Sequence, residues 1–403
     1  MTNNGTEGKP ASIDLDQLVV AQSHRDVLTE LCPGPLKHVQ QNDALGLALY
    51  DVDPVRALAE IGDDELPPAL ADHSPMGRLA WVLRDRCARR YGGWTLTVGR
   101  NRRVHAIFAA PHIGTGAPMA AVGYPHVLPD GSFKLKKASE NGRGRGVRVG
   151  ILDTRVYPNE QLAGRYMADT ASELPAETKG PISHYEGHAT FIAGLVLAQA
   201  PNAELAIHDV LHGDEARATT WELATSMARL AGGGVDVLNL SLACQTQDGQ
   251  PPMVLARAVD LLSPEMVIVA AAGNIDNELV DGKKPIWPAA FDKVISVGAC
   301  DDEGNVADFS PDAPWVDMLA PGVDVSSTYL VGKVTIRCDG HGSGHGSPVA
   351  FDGSAMWSGT SFSAATVSGV IAAELAAGNS PRPALRVLRE RLAQRAADGI
   401  RVP

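Results

Sequence analysis

The chain lacks most of what would tie it to nucleic acid, metal or lipid. Its 403 residues carry 35 Lys and Arg against 47 Asp and Glu, a formal net charge of −12, so nothing draws it to phosphate backbones or anionic membranes. Neither a nucleic-acid partner nor a membrane surface is therefore expected. No apolar run approaches the roughly 20 residues of a spanning helix, residues 1–10 have no apolar centre of a secretory signal, and residues 399–403 show no anchor pattern. The five cysteines, Cys32, Cys87, Cys244, Cys300 and Cys338, are odd in number and scattered without metal-type spacing. Reduced thiols in a cytoplasmic protein, with no metal and no cofactor, are the expectation. A dinucleotide site is excluded as well: Gly144-Arg145-Gly146 has no third glycine at the right spacing and leads into a strand rather than a helix.

What is present is ordinary globular composition, 44% hydrophobic and 20% charged, in a chain long enough for one large domain and a smaller one. Apolar residues recur at helical spacing over Leu15–Leu31 and Arg78–Tyr91, with a strand at Leu45–Val52 and a short helix at Val55–Ile61 between them. Trp94–Val98 and Val104–Ala109 read as paired strands around the charged turn Gly99–Arg103. Residues 1–140 are thus expected to form a smaller α+β domain, joined by a Gly/Arg hinge at 141–146 to a second domain over 147–403. There the pattern changes. Strands at Val147–Leu152, Ala203–Val210, Val235–Leu242, Val267–Ala272 and Val294–Ala299 alternate with helices starting near His188, over Glu215–Leu230 and over Met253–Leu262. Continuous apolar strands alternating with helices predict an α/β fold whose mainly parallel sheet is covered on both faces.

Sites in such sheets lie beyond the carboxyl ends of the strands, and four polar residues fall there. Asp153 follows the strand Val149–Leu152, His188 opens an apolar helix, Asn274 ends Val267–Gly273, and Ser361 stands in Gly359-Thr360-Ser361, a small-residue turn feeding the apolar helix that runs to Leu375. A helix N-terminus offers unpaired N–H groups and a favourable dipole to an oxyanion forming beside Ser361. Each residue alone is equally a turn, cap or core residue.

Taken in order, Asp153-Thr154, His188-Ala189-Thr190-Phe191-Ile192-Ala193-Gly194, Ala271-Ala272-Gly273-Asn274 and Gly359-Thr360-Ser361-Phe362-Ser363-Ala364-Ala365 resemble the motifs of the subtilisin-like serine proteases, whose triad runs Asp, His, Ser along the chain. The resemblance spans roughly 147–377. It departs at Arg155, where the family pattern has glycine, at Ala189, another glycine position, and at Ala365, a proline position. The resemblance implies a subtilisin-like three-layer fold and a serine endopeptidase acting on protein or peptide substrates. Asp153, His188 and Ser361 would be catalytic and Asn274 an oxyanion donor. An extended peptide would pair at Ser241, Leu242 and Ala243, with a side-chain pocket at Ala271, Gly273 and Ile286 suited to small or medium uncharged groups. Members often bind structural calcium, but no acidic loop here assigns such a site, and the two histidines of Asp339–Ser347 sit in a glycine-rich loop without a third ligand. The N-terminal domain would be a retained regulatory or docking domain, or else an inhibitory prodomain. The rival class is a catalytically impaired peptide-binding module on the same fold. An α/β-hydrolase esterase fits less well, because the second glycine of its nucleophile elbow is missing and its triad order differs.

Overall fold

A computed structural model of the chain describes residues 14–61, 67, 74–106, 123–128, 133–139, 142–176, 181–213, 216–246, 248–275, 284–336 and 348–375. The chain divides into two compact units, 1–103 with 252–254, and 104–251 with 255–403.

The first unit holds β1 (Asp14–Ala21), α1 (Arg25–Leu31), β2 (Leu36–Asn42), β3 (Leu47–Val52), α2 (Pro54–Ile61), α3 (Pro75–Arg90) and the start of β4 (Val98–Ala106). β1 pairs antiparallel with both β3 and β4, and β2 pairs with β3. Leu18 and Val20 of β1 share a core with Leu79, Val82, Leu83 and Cys87 of α3. α3 begins where its sequence provides a cap, with Ser74 Oγ accepting the Gly77 N–H at 3.1 Å and Pro75 at the first helical position. Two expectations are corrected here. The helix expected over Leu15–Leu31 is a strand followed by a helix, because Leu15, Leu18 and Val19 match helical spacing while the β-branched pair Val19-Val20 is claimed by strands on both sides. The expected hairpin turn Gly99–Arg103 is strand: Gly99, Arg100 and Arg102 lie opposite Val19, Leu18 and Asp14, and buried Asn101 donates to Gln17 Oε1 at 2.7 Å.

The second unit contains the end of β4, then β5 (Arg148–Asp153), β6 (Tyr166–Met167), β7 (Ile182–Ser183), α4 (His188–Gln199), β8 (Glu204–Asp209), β9 (Arg217–Thr219), α5 (Thr220–Arg229), β10 (Val237–Leu240), β11 (Leu242–Gln245), all but the first two residues of α6 (Met253–Leu262), β12 (Val267–Ala271), β13 (Ile286–Trp287), β14 (Val294–Cys300), β15 (Met318–Pro321), β16 (Val325–Thr335), β17 (Val349–Trp357) and α7 (Thr360–Glu374). Its main sheet has the order β15-β14-β12-β10-β5-β8-β6, and every pairing in it is parallel. Alternate residues face opposite sides. Val149 and Ile151 of β5, Val237, Val269 and Val297 point into one core with Phe191 of α4 and Phe362 and Val367 of α7, while Gly150 faces Leu238, Val235 and Leu230 on the other side.

α4 and α7 are apolar around most of their circumference and almost wholly buried, as core helices must be. They approach so closely that a Cβ on Gly369 would lie 2.6 Å from the Val196 carbonyl oxygen, a position that requires glycine. The helix expected from Glu215 starts at Thr220, where Thr219 and Glu222 form a capping box. The strand expected over Val235–Leu242 is interrupted at Ser241, a break that belongs to the site. No helix among the described residues is long and apolar enough to cross a membrane. The histidine pair of the 339–347 loop lies outside the described residues.

Candidate active site

β5 ends on Asp153 and α4 begins on His188, and the two side chains meet in the core. Asp153 Oδ1 lies 2.7 Å from His188 Nδ1, and both side chains are fully buried. A buried carboxylate is tolerable only with charged or hydrogen-bonding partners, and the same oxygen also accepts the Thr154 N–H at 2.8 Å. Two further bonds lock these segments together: the Ala189 N–H donates to Thr154 Oγ1 at 3.1 Å, and the Tyr157 N–H to Thr190 Oγ1 at 2.8 Å. The His188 ring is walled by Trp357, edge-on at 5.8 Å and 82°, and by Phe362 at 5.6 Å. Arg155 turns away from Asp153 and pairs with Glu186 at 2.8 Å, so it does not compete for the carboxylate.

Ser361 is the second residue of α7 and is fully buried, its Oγ 3.4 Å from the main-chain oxygen of Ser241. Its neighbours fix the fourth polar residue. Asn274 Oδ1 accepts the Thr360 N–H at 3.0 Å and the Thr360 hydroxyl at 3.0 Å; Thr360 Oγ1 in turn accepts the Gly273 N–H at 3.2 Å. With its oxygen held twice, the Asn274 amide presents Nδ2, which is buried and has no hydrogen-bond partner among the described residues. That donor is on the Gly359 side, 3.4 Å from where a Gly359 Cβ would be. An unanswered buried donor is costly unless a ligand or transition state supplies the acceptor.

The residues expected along the substrate edge fall together. Ala271 ends β12, Gly273 follows at φ +100°, and a Cβ there would sit 2.4 Å from Ile286 Cδ1; only glycine meets both conditions. β11 pairs with β13, placing Gln245 opposite Ile286. The other side of β11 is covered by the chain itself, because Leu242 pairs with Ala106 and Ala243 with His105, antiparallel, within the second unit. The Ala106 N–H also donates to Ala216 O at 3.1 Å, so residues 105–106 are gripped from two sides.

Residues 144–399 match the model of the subtilase family, Peptidase_S8. The chain belongs to the subtilase family. Among curated relatives it is 31% identical over 215 residues to Subtilisin BL of Lederbergia lenta, covering 50% of this chain and 74% of that protein. It is likewise 31% identical over 217 residues to Subtilisin DY of Bacillus licheniformis, covering 51% and 74%. The match to the alkaline protease of Alkalihalobacillus alcalophilus spans 53% of that longer protein. Fervidolysin from Fervidobacterium pennivorans, a keratinolytic enzyme related to subtilisin, aligns over 93% of this chain and 57% of its own with a TM-score of 0.59 at 16% identity, a likeness of fold alone. Family and relatives together make this subtilase a serine endopeptidase with peptide or protein substrates.

Thr360, Trp357 and Glu186 escape a reading of the sequence. Thr360 stands beside Ser361 and was the one within reach, since a hydroxyl next to a helix start is an ordinary capping signal. The other two act through contacts that no local pattern encodes.

Proposed function

We propose that the chain hydrolyses peptide bonds with Ser361 as nucleophile, His188 as general base and acid, Asp153 as the group that orients and charges the imidazole, and Asn274 as an oxyanion donor. The observation that carries this is the fully buried 2.7 Å contact between Asp153 Oδ1 and His188 Nδ1. A carboxylate on Nδ1 fixes the tautomer that leaves Nε2 as a base and stabilises the imidazolium when it forms.

Ser361 Oγ attacks the scissile carbonyl as His188 Nε2 takes its proton. The tetrahedral oxyanion is held by Asn274 Nδ2 and the Ser361 N–H at the start of α7, and the proton passes from His188 to the departing amine. Water then repeats the sequence against the acyl-enzyme. The substrate lies along Ser241, Leu242 and Ala243, and its side chain enters a pocket walled by Ala271, Gly273 and Ile286. Ile286 is apolar and packed tightly over Gly273, which favours small or medium uncharged side chains.

Residues 105–106 stand on the same backbone edge, so they and an extended substrate compete for it. The 1–140 region is inhibitory in this account, and activity requires that strand end to leave. Intact mass after incubation tests this: the parent loses the region and Ser361→Ala keeps it. Retention in both, with full activity, contradicts it. The triad assignment is tested by Ser361→Ala, which leaves a small residual rate that adding His188→Ala barely lowers, because the three groups act as one unit.

A further inference from the structure

Behind Ser361 a line of side-chain hydrogen bonds crosses the core, and its direction is set by chemistry. Ser368 lies seven residues on in α7, two turns along the same face, and donates its hydroxyl to Asn239 Oδ1 at 3.0 Å. With its oxygen engaged, the Asn239 amide turns Nδ2 to Ser241 Oγ at 2.9 Å. Ser241 Oγ is thereby an acceptor with its own proton still to place, and it donates that proton to the main-chain oxygen of Ser361 at 2.9 Å. All four residues are fully buried. Turning the amide over would direct the Ser241 proton to Asn239 and leave the Ser361 carbonyl without this donor. The Ser361 carbonyl oxygen, which can only accept, sets the direction of the line, and the Ser368 hydroxyl supplies the donor at its far end.

The line ends on the residue whose hydroxyl is to react. Ser241 grips Ser361 twice, by its side chain on the carbonyl and by its backbone oxygen on Oγ at 3.4 Å, near the limit of a hydrogen bond. The first grip is strong and fixes the turn; the second is weak. Building on the assignment of Ser361 as nucleophile, we propose that Asn239 and Ser368 are positioning residues. Acting through Ser241, they hold the first turn of α7 at the height from which Ser361 Oγ reaches the substrate carbonyl. Misplacement of a reacting group by a fraction of an ångström lowers the rate of the chemical step, whereas the backbone edge at Leu242 and Ala243 that binds the peptide is untouched. The loss belongs in kcat and not in KM.

Ser368→Thr and Ser368→Val have nearly the same shape and differ in the hydroxyl, so the pair separates hydrogen bonding from packing. For each we would measure kcat and KM on a short peptide substrate and the rate of labelling by an alkyl fluorophosphonate. Ser368→Val is expected to lower kcat and labelling by about five- to tenfold, the equivalent of one buried hydrogen bond, with KM within about twofold and Ser368→Thr near the parent. Equal rates in Thr and Val variants, both parental or both reduced, would overturn the proposal. Asn239→Asp tests the same line at its centre, since a carboxylate has no proton for Ser241; it is expected to show the loss, and a parental kcat there also overturns the proposal. Ser361→Ala runs alongside. If that variant is fully active, the nucleophile assignment fails; if it is inactive while the Ser368 and Asn239 variants are parental, only the positioning role fails.

Discussion

Replacing Asn274 with Leu probes its proposed role as an oxyanion donor, at the point where the structure is most specific. The amide oxygen is fixed by two bonds of 3.0 Å from Thr360, and Nδ2 stands buried with no partner among the described residues. A donor pre-aimed in this way costs no reorganisation when negative charge develops, and losing one such donor lowers kcat by about 100- to 1,000-fold, or about 2.7–4 kcal/mol of transition-state stabilisation. Because the donor acts on the oxyanion rather than on the ground-state peptide, KM should stay within about threefold. The substitution also strips the acceptor from the buried Thr360 hydroxyl and N–H, which costs stability of about 2 kcal/mol, so the assay temperature must lie well below the variant's Tm. Thr360→Val is the graded companion. It removes one of the two bonds on Asn274 Oδ1 while leaving Nδ2 in place, and should reduce kcat by about five- to tenfold. Steady-state kinetics on a chromogenic peptide, normalised to folded protein, measures both. Asn274→Leu retaining kcat within threefold of the parent, or losing activity through KM alone, would refute the assignment.

Three further outcomes follow from the same structure. Ala106→Pro removes the N–H that donates to Ala216 O and weakens the occupied edge, so cleavage of a peptide substrate by the intact chain should rise several-fold; unchanged kcat/KM contradicts competition at β11. Arg155→Ala should alter kcat by less than about threefold and stability by less than about 1 kcal/mol, because Arg155 pairs with Glu186 near the surface and not with Asp153; a large fall in kcat would show that Arg155 serves the buried pair directly. Burial raises the Cys32 thiol from its ordinary 9.0 to about 11, with Arg86 opposing and Glu60 adding to the shift. Only the thiolate is alkylated, so at pH 8 Cys32 should react about 100-fold more slowly than an ordinary thiol, quickening about tenfold per pH unit until pH approaches 11. Mapped iodoacetamide modification checks this, and rapid labelling of Cys32 in the folded chain at pH 8 contradicts it.

The sheet of the second unit was legible because strands buried on both faces read as unbroken apolar runs, as Val267–Ala271 does. The first unit was less so. Leu15, Leu18 and Val19 imitate a helical stripe, and the arginines of Gly99–Arg103 imitate a turn, yet both segments are strands held by neighbours far away in sequence. At the site, Asp153, His188, Asn274 and Ser361 could be found because each sits at an element end next to a motif. The partners that shape them could not. Glu186 reaches Arg155 across 31 residues, Ser368 reaches Asn239 across 129, and Trp357 meets His188 only once β17 and α4 are packed. The break at Ser241 was hidden in an apolar run, although it is the point where the strand bends to grip Ser361.

The most direct measurement of the central claim is to label the folded chain with a small alkyl fluorophosphonate, which needs an activated serine but not the strand edge at β11, and to locate the adduct by mass spectrometry of peptides. A single adduct on Ser361, absent from Ser361→Ala and slowed by orders of magnitude in His188→Ala, is the predicted result. No adduct on the folded parent, or an adduct on another serine that survives Ser361→Ala, would contradict the account.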